Sequence, residues 1–264
     1  MQDPDAPAIR LLILGGTTEA AAIARAVVAA HGHRVTVISS LAGRTERPGP
    51  LPGEVRIGGF GGVEGLVAYL QTQAIDVVVD ATHPFAAQMS RHARIAAALA
   101  NRPRLQLWRP GWPRDPRDRW VEVADAAGAA SVLPQVGRRV LLTLGRSELD
   151  CFAGLTTTFF LIRSIDPPRT PPPLAQHHVV LGRGPFALAE ELALLRHYRI
   201  DALVAKHSGG SATKAKLDAA RTLDLPVVMI RRPPPEPGHL ALTVDEALAW
   251  LSQVVDGDPS SCAL

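Results

Sequence analysis

Short apolar runs rich in β-branched residues alternate with longer Ala- and Leu-rich stretches from one end of the chain to the other. The short runs predict strands at residues 10–14, 34–38, 76–80, 104–108 and 120–123. A second series follows at 139–144, 158–162, 178–181, 201–205 and 226–230. The longer stretches predict helices, among them 18–30, 86–100, 186–197 and 213–222. Runs such as Val77-Val78-Val79 are apolar without alternation, the pattern of a strand buried on both faces. Strands of that kind alternating with helices predict an α/β fold, with parallel sheets flanked by helices on both faces.

The pattern also repeats. A strand opened by Ile75-Asp76 runs into Ala81-Thr82-His83, then a helix, then a strand ending at Arg109-Pro110. A strand opened by Ile200-Asp201 runs into Ala205-Lys206-His207, then a helix, then a strand ending at Arg232-Pro233. Two half-molecules of related architecture account for this; two doubly wound units sharing a common vocabulary are the alternative. The Ala-rich segment 124–135 places the boundary, giving domains at 1–125 and 126–256 and a tail at 257–264. The Pro-rich segments 166–173 and 231–237 read as surface connections. The termini, up to Ala8 and from Asp256, are expected to be disordered.

Composition narrows the classes. Across 264 residues, 47 % are hydrophobic and 20 % charged, enough to bury two cores of ordinary size. No apolar run approaches the length of a membrane span, and the N-terminus lacks the basic and apolar regions of a secretory signal. A cytoplasmic protein with no membrane partner is the expectation. Cys151 and Cys262 form no disulfide framework and no metal-type spacing, so no metal is expected. The net charge is only +3 and aromatics are 5 %, which gives no nucleic-acid signature. Of 28 basic residues, only Lys206, Lys214 and Lys216 are lysines, and all lie in one short segment. That clustering points to a place where a compact ammonium is wanted.

Five segments carry candidate chemistry. In 11–20, a buried strand runs through Gly15-Gly16-Thr17-Thr18-Glu19 into a helix, so unpaired N–H groups and the helix dipole converge on an anion. The spacing is not Gly-x-Gly-x-x-Gly, and a plain tight turn reads equally well. The next strand ends in Ser39-Ser40 and is followed by Arg44. NAD-binding units normally place an acidic residue there for the ribose 2′-hydroxyl. Hydroxyls with an arginine suit a 2′-phosphate, so a nicotinamide cofactor would be NADPH; a surface arginine is the alternative. Third, Asp80-Ala81-Thr82-His83-Pro84-Phe85 stands at the C-terminal end of a strand, where ligands of open α/β sheets collect. His83 there is either a functional group or a packing residue. Gly145-Arg146, after another strand, is a fourth such turn or a simple connection. Last, Lys206-His207-Ser208-Gly209-Gly210-Ser211-Ala212-Thr213-Lys214 gathers N–H groups, hydroxyls and ammoniums between a strand and a helix. It lacks the Gly-Lys-Ser/Thr ending of an ATPase loop and is expected to hold an oxygen-rich anion. His177 and His178 are adjacent on a strand and point to opposite faces, which argues against joint metal ligation.

With these residues in view, the chain resembles the precorrin-6A reductase family. The matching segments are 13–20, 80–87, 108–112, 141–149, 161–167, 180–186, 201–216 and 225–233. The Thr-His-Pro-Phe-Ala and Lys-His-Ser-Gly-Gly pieces are the distinctive ones. The resemblance implies two Rossmann-like domains with NADPH in an interdomain cleft. It also implies an NADP-dependent oxidoreductase acting on CH–CH groups, reducing one double bond of precorrin-6A to give precorrin-6B in cobalamin biosynthesis. Gly15, Gly16, Thr17, Thr18 and Glu19 would hold the cofactor, and Ser40 and Arg44 would read its 2′-phosphate. His83, Pro84, Gly145 and Arg146 would line the site with Lys206, Ser208, Gly209, Gly210 and Thr213, His83 and Lys206 being the candidate catalytic groups. The substrate would be an anionic tetrapyrrole, for which Arg94, Arg163 and Arg183 are candidate carboxylate partners; apart from the resemblance, a monomer is one option, and the sequence does not set the oligomeric state. The alternatives are another NADPH-dependent reductase of the same plan and a non-catalytic NADPH-sensing module.

Overall fold

The computed structural model describes residues 8–43 and 49–257. In the first part of the chain lie β1 (Ile9–Leu14), α1 (Thr18–His31), β2 (Val35–Leu41), β3 (Glu54–Ile57), α2 (Val63–Thr72), β4 (Val77–Asp80), α3 (Ala87–Leu99) and β5 (Arg104–Leu107). Then come β6 (Trp120–Val123), α4 (Ala126–Val136), β7 (Arg139–Leu142), a 3-10 helix (Arg146–Phe152), β8 (Phe159–Ser164), β9 (Gln176–Leu181), α5 (Leu188–His197), β10 (Ala202–Lys206), α6 (Ala215–Thr222) and β11 (Val227–Ile230). The chain closes with β12 (His239–Ala241) and α7 (Val244–Val255). No helix among the described residues is long and apolar enough to cross a membrane.

The strands form two six-stranded sheets, parallel throughout, in the orders β12-β5-β4-β1-β2-β3 and β6-β11-β10-β7-β8-β9. These are the same order twice, with β7, β8, β9, β10 and β11 standing where β1, β2, β3, β4 and β5 stand. The expected α/β class and the internal repeat are both present, the repeat as β4–α3–β5 and β10–α6–β11. Both faces of each central strand are covered. In β1, Leu11 and Ile13 join the core under α1 and α7, while Leu12 and Leu14 join the core under α2 and α3. Successive side chains of a strand point to opposite faces, so an uninterrupted apolar run is what such a strand needs.

The division between units differs from the expected 125/126 boundary. One compact unit takes the chain as far as Arg109 together with everything from Pro233, and the other takes Pro110–Arg232. After β5 the chain leaves its sheet, and β6 becomes the edge strand of the second, with Trp120 beside Val227. After β11 it returns, and β12 becomes the edge strand of the first, with His239 beside Leu105. The Ala-rich segment expected to be a boundary is helix α4, capped by Asp125, whose carboxylate accepts from the Gly128 N–H at 2.7 Å. Parallel pairing joins residues more than a hundred positions apart, so local composition does not reveal which sheet an edge strand enters. Ala8, Asp256 and Gly257 are described, and Asp256 accepts from Arg34 at 3.0 Å; the rest of the termini expected to be disordered lies outside the described residues.

Candidate functional site

In a sheet of this order the central pair is a switch point, because the connections after the two strands leave toward opposite faces. In the first unit that pair is β1 and β4. Gly15 N–H donates to Ser40 O at 2.9 Å, closing the turn after β1. Gly16 follows at φ 101°, a left-handed conformation that a side chain rarely adopts. Thr17 caps α1: its hydroxyl oxygen accepts from the Ala20 N–H at 3.1 Å and its proton goes to Ala81 O at 2.8 Å. One side chain thereby ties the turn after β1 to the turn after β4. Among the described residues, the N–H groups of Gly16, Thr17, Thr18 and Glu19 meet no acceptor. They are the open donors of a helix start and carry the positive end of its dipole. Glu19 pairs with Arg109, just past β5, at 2.6 Å.

Strand β2 ends in Ser39 and Ser40, both buried, with no carboxylate. Arg56 stands opposite Ser40 on β3. It donates to Ser40 Oγ at 3.0 Å, to Gly58 O and Gly59 O at 2.9 Å each, and lies over the Phe60 ring at 3.8 Å. Arg44 lies outside the described residues. At the end of β4, buried Asp80 accepts from the Thr82 hydroxyl at 2.7 Å and the Thr82 N–H at 3.2 Å. Its second oxygen is 4.0 Å from Arg104, whose guanidinium is pushed below its ordinary range by burial against the opposing pull of Asp80 and Glu236. His83 is exposed, and its Nδ1 accepts from the Phe85 N–H at 3.3 Å, which assigns the ring proton to Nε2. Pro84 beside it is buried.

In the second unit the switch point lies between β7 and β10. The turn after β7 differs from its counterpart in the first unit. Gly145 N–H donates to the Glu148 carboxylate at 3.1 Å, and the same oxygen pairs with Lys206 at 2.5 Å. A carboxylate thus fills the position that open N–H groups hold after β1. Arg146 is turned to the connection after β8, donating to Asp166 O and Pro167 O at 3.2 and 2.9 Å. After β10, Ser208 is buried and Gly209 takes φ 67° against Pro110. Trp112 donates its indole N–H to Gly210 O at 2.7 Å, and the Trp112 carbonyl meets His207 Nε2 at 2.9 Å. Thr213 O accepts from Lys216 at 3.0 Å. His177 meets Leu174 O at 2.7 Å, while His178 stacks on Tyr198.

A family model described as precorrin-6x reductase CbiJ/CobK matches residues 10–252. The chain belongs to the precorrin-6x reductase family. It is 51 % identical over 245 residues to the precorrin-6A reductase of Rhodococcus erythropolis, covering 92 % of this chain and 97 % of the relative. It is 43 % identical over 243 residues to that of Rhodobacter capsulatus, covering 92 % and 96 %. A solved structure of a CobK precorrin-6A reductase superposes with a TM-score of 0.88 at 42 % identity, over 93 % of this chain and 96 % of that one.

Within this family fold, the residues expected to hold a cofactor divide into two groups. Gly15, Gly16, Thr17, Thr18, Glu19 and Ser40 gather at the first switch point, with His83 and Pro84 on the neighbouring connection. Gly145, Arg146, Lys206, Ser208, Gly209, Gly210 and Thr213 gather at the second. Sequence reading missed Arg56, Arg109, Glu148 and Trp112, each of which touches one of those residues. Only Arg56 had an accessible signal, being an arginine two residues before a Gly-Gly pair.

Lys216, also outside the expected set, carries an energetic signature. It is 6 % exposed. Burial first, and then Arg163, lower its amine from 10.5 to about 8, with Glu191 opposing. Because the folded value is the lower one, the charged amine costs stability at every pH below about 8. That cost fades as pH rises toward the unfolded value of 10.5. Lys216→Met is expected to stabilise the protein by about 3 kcal/mol at pH 7, falling toward zero at pH 10.5. Urea denaturation of both proteins at the two pH values checks this; a constant difference would show that packing, not charge, is responsible.

Proposed function

We propose that the protein reduces one double bond of precorrin-6A to give precorrin-6B, using NADPH. The observation that carries the cofactor choice is the end of β2, where Ser40 meets Arg56 at 3.0 Å and strand residues 35–41 include no carboxylate. A carboxylate there would take a ribose 2′-hydroxyl and repel a 2′-phosphate. The reaction and substrate come from the relatives named precorrin-6A reductase.

The first switch point fits a dinucleotide. Among the described residues nothing lies within 4 Å of where a Gly16 Cβ would stand, which leaves room for a ligand against the backbone. The N–H groups of Gly16, Thr17, Thr18 and Glu19 would hold the diphosphate. Ser40, Arg56 and Arg44 would read the 2′-phosphate. When bound, the dinucleotide supplies the hydride; a proton from solvent or a side chain completes the addition. His83, with its proton on Nε2, and Lys206, held against Glu148, are the groups proposed to polarise the substrate. Arginines, as fixed planar donors, would clamp the carboxylates of an anionic macrocycle. Of those considered in the sequence, Arg94 is already paired with Glu236 at 2.7 Å and Arg163 with Glu191 at 2.7 Å.

The test is anaerobic absorbance at 340 nm with enzymatically made precorrin-6A and either NADPH or NADH. Substrate-dependent loss of NADPH, with a shift in the macrocycle spectrum and much slower loss of NADH, is the expected result. Saturable NADPH binding without oxidation would leave the cofactor assignment and remove the substrate.

A further inference from the structure

Asp80 ends β4 with its side chain out of solvent, at 1 % exposure. One carboxylate oxygen takes two donors from a single residue, the Thr82 hydroxyl at 2.7 Å and the Thr82 N–H at 3.2 Å. The peptide between Ala81 and Thr82 is thereby held from its N–H side. Its carbonyl accepts the Thr17 hydroxyl at 2.8 Å. A peptide is planar, so orienting its N–H also orients its carbonyl. The Thr17 hydroxyl has one proton, and because Ala81 O takes it, a lone pair is left for the Ala20 N–H at 3.1 Å. Asp80 therefore stands at one end of a series of hydrogen bonds whose other end is the first turn of α1.

Stability alone does not account for a charge at this position. The second Asp80 oxygen and Nη1 of Arg104 lie 4.0 Å apart, and neither has a hydrogen-bond partner among the described residues. Arg104 is itself 6 % exposed and donates from Nη2 to Pro237 O at 2.6 Å. Arg94 of α3 pairs with Glu236 at 2.7 Å beside it, so the cluster holds two cations and two carboxylates. A buried ion pair of this geometry gains little against its desolvation, and apolar side chains of similar volume often do as well or better. What apolar side chains cannot supply is the acceptor that Thr82 uses.

We propose that Asp80 is a positioning residue for the turn after β1, acting through the Ala81–Thr82 peptide and Thr17, with Arg104 as its counter-charge. The ligand side of this inference rests on the proposed function, in which that turn holds the dinucleotide diphosphate.

The test compares two double variants of the full chain. Asp80→Val with Arg104→Met removes the ion pair and the acceptor. Asp80→Asn with Arg104→Met removes the ion pair but keeps an amide oxygen for Thr82, and both lose the bond to Pro237 O alike. The readouts are hydrogen exchange of the Ala20 amide and the Kd for NADPH from fluorescence titration. The Val variant is expected to speed the exchange and weaken NADPH, each on the order of tenfold, and the Asn variant to recover most of both. In protein already carrying Thr17→Val, the Val double variant is expected to add less than about twofold to either readout, because the route to α1 is cut. A merely structural role would affect the two double variants equally and would add in full to Thr17→Val. Either of those results overturns the proposal, as does wild-type behaviour of the Val variant. Should the Val variant not fold, Thr82→Val keeps the ion pair and removes the donor at 2.7 Å. A shift of about threefold in the same direction then supports the proposal, and no shift overturns it. Wild-type protein that fails to bind NADPH removes the cofactor proposal, and Ala20 exchange then decides the positioning on its own.

Discussion

Gly209→Ala is expected to cost the protein about 2–4 kcal/mol of stability and most of its activity. Gly209 sits at φ 67°, and a Cβ there would lie 2.0 Å from Pro110 O and 3.1 Å from its carbonyl carbon. Both contacts are to backbone, which a rotamer change does not relieve. The loop must move, and with it the Trp112–Gly210 and His207–Trp112 hydrogen bonds that fix its shape. Gly154→Ala makes the control, because nothing lies within 4 Å of where its Cβ would stand and its φ is not left-handed. Guanidinium denaturation followed by tryptophan fluorescence, with steady-state turnover alongside, checks both. A Gly209→Ala protein as stable and active as the control would refute the close approach.

Arg56→Ala is expected to weaken NADPH by about 10–100-fold while leaving NADH within about 2-fold. The guanidinium donates into a lone pair of Ser40 Oγ, which leaves the Ser40 proton to donate elsewhere, and a 2′-phosphate oxygen is the acceptor the proposed function supplies. Loss of Arg56 removes a cation and the partner that orients Ser40. Arg56→Lys keeps the charge but not the fork that reaches Gly58 O and Gly59 O, so it is expected to recover only part of the preference. Arg44→Ala is expected to act in the same direction. The ratio of kcat/KM for the two cofactors is the measurement. Equal loss for NADPH and NADH would confine Arg56 to bracing the connection between β3 and α2.

Much of this was legible in the chain itself. Uninterrupted runs such as Val77-Val78-Val79 carry no face preference, and a strand without one must be covered on both sides, which sets the α/β class. Gly15-Gly16-Thr17 and the Lys206–Thr213 segment declare themselves because a ligand at a strand end needs small residues and open N–H groups in a short local sequence. The resemblance to the reductase family rests on the same local pieces.

Tertiary structure decided what depends on partners far apart in sequence. The edge strands β6 and β12 each join the sheet of the other half of the repeat, a choice made by pairing Trp120 with Val227 and His239 with Leu105. The register of β2 on β3 sets Arg56 opposite Ser40, and no spacing along the chain announces it. Glu148 caps its own turn after β7, but its pairing there with Lys206, from another strand, is set by the fold. Lys216 becomes a buried charge only when β8, α5 and Trp112 close around it. Local sequence fixes which backbone segments form elements and turns, since those depend on near neighbours. Charge balance and side-chain partnership depend on which distant segments the sheets bring together, and only the assembled fold contains that information.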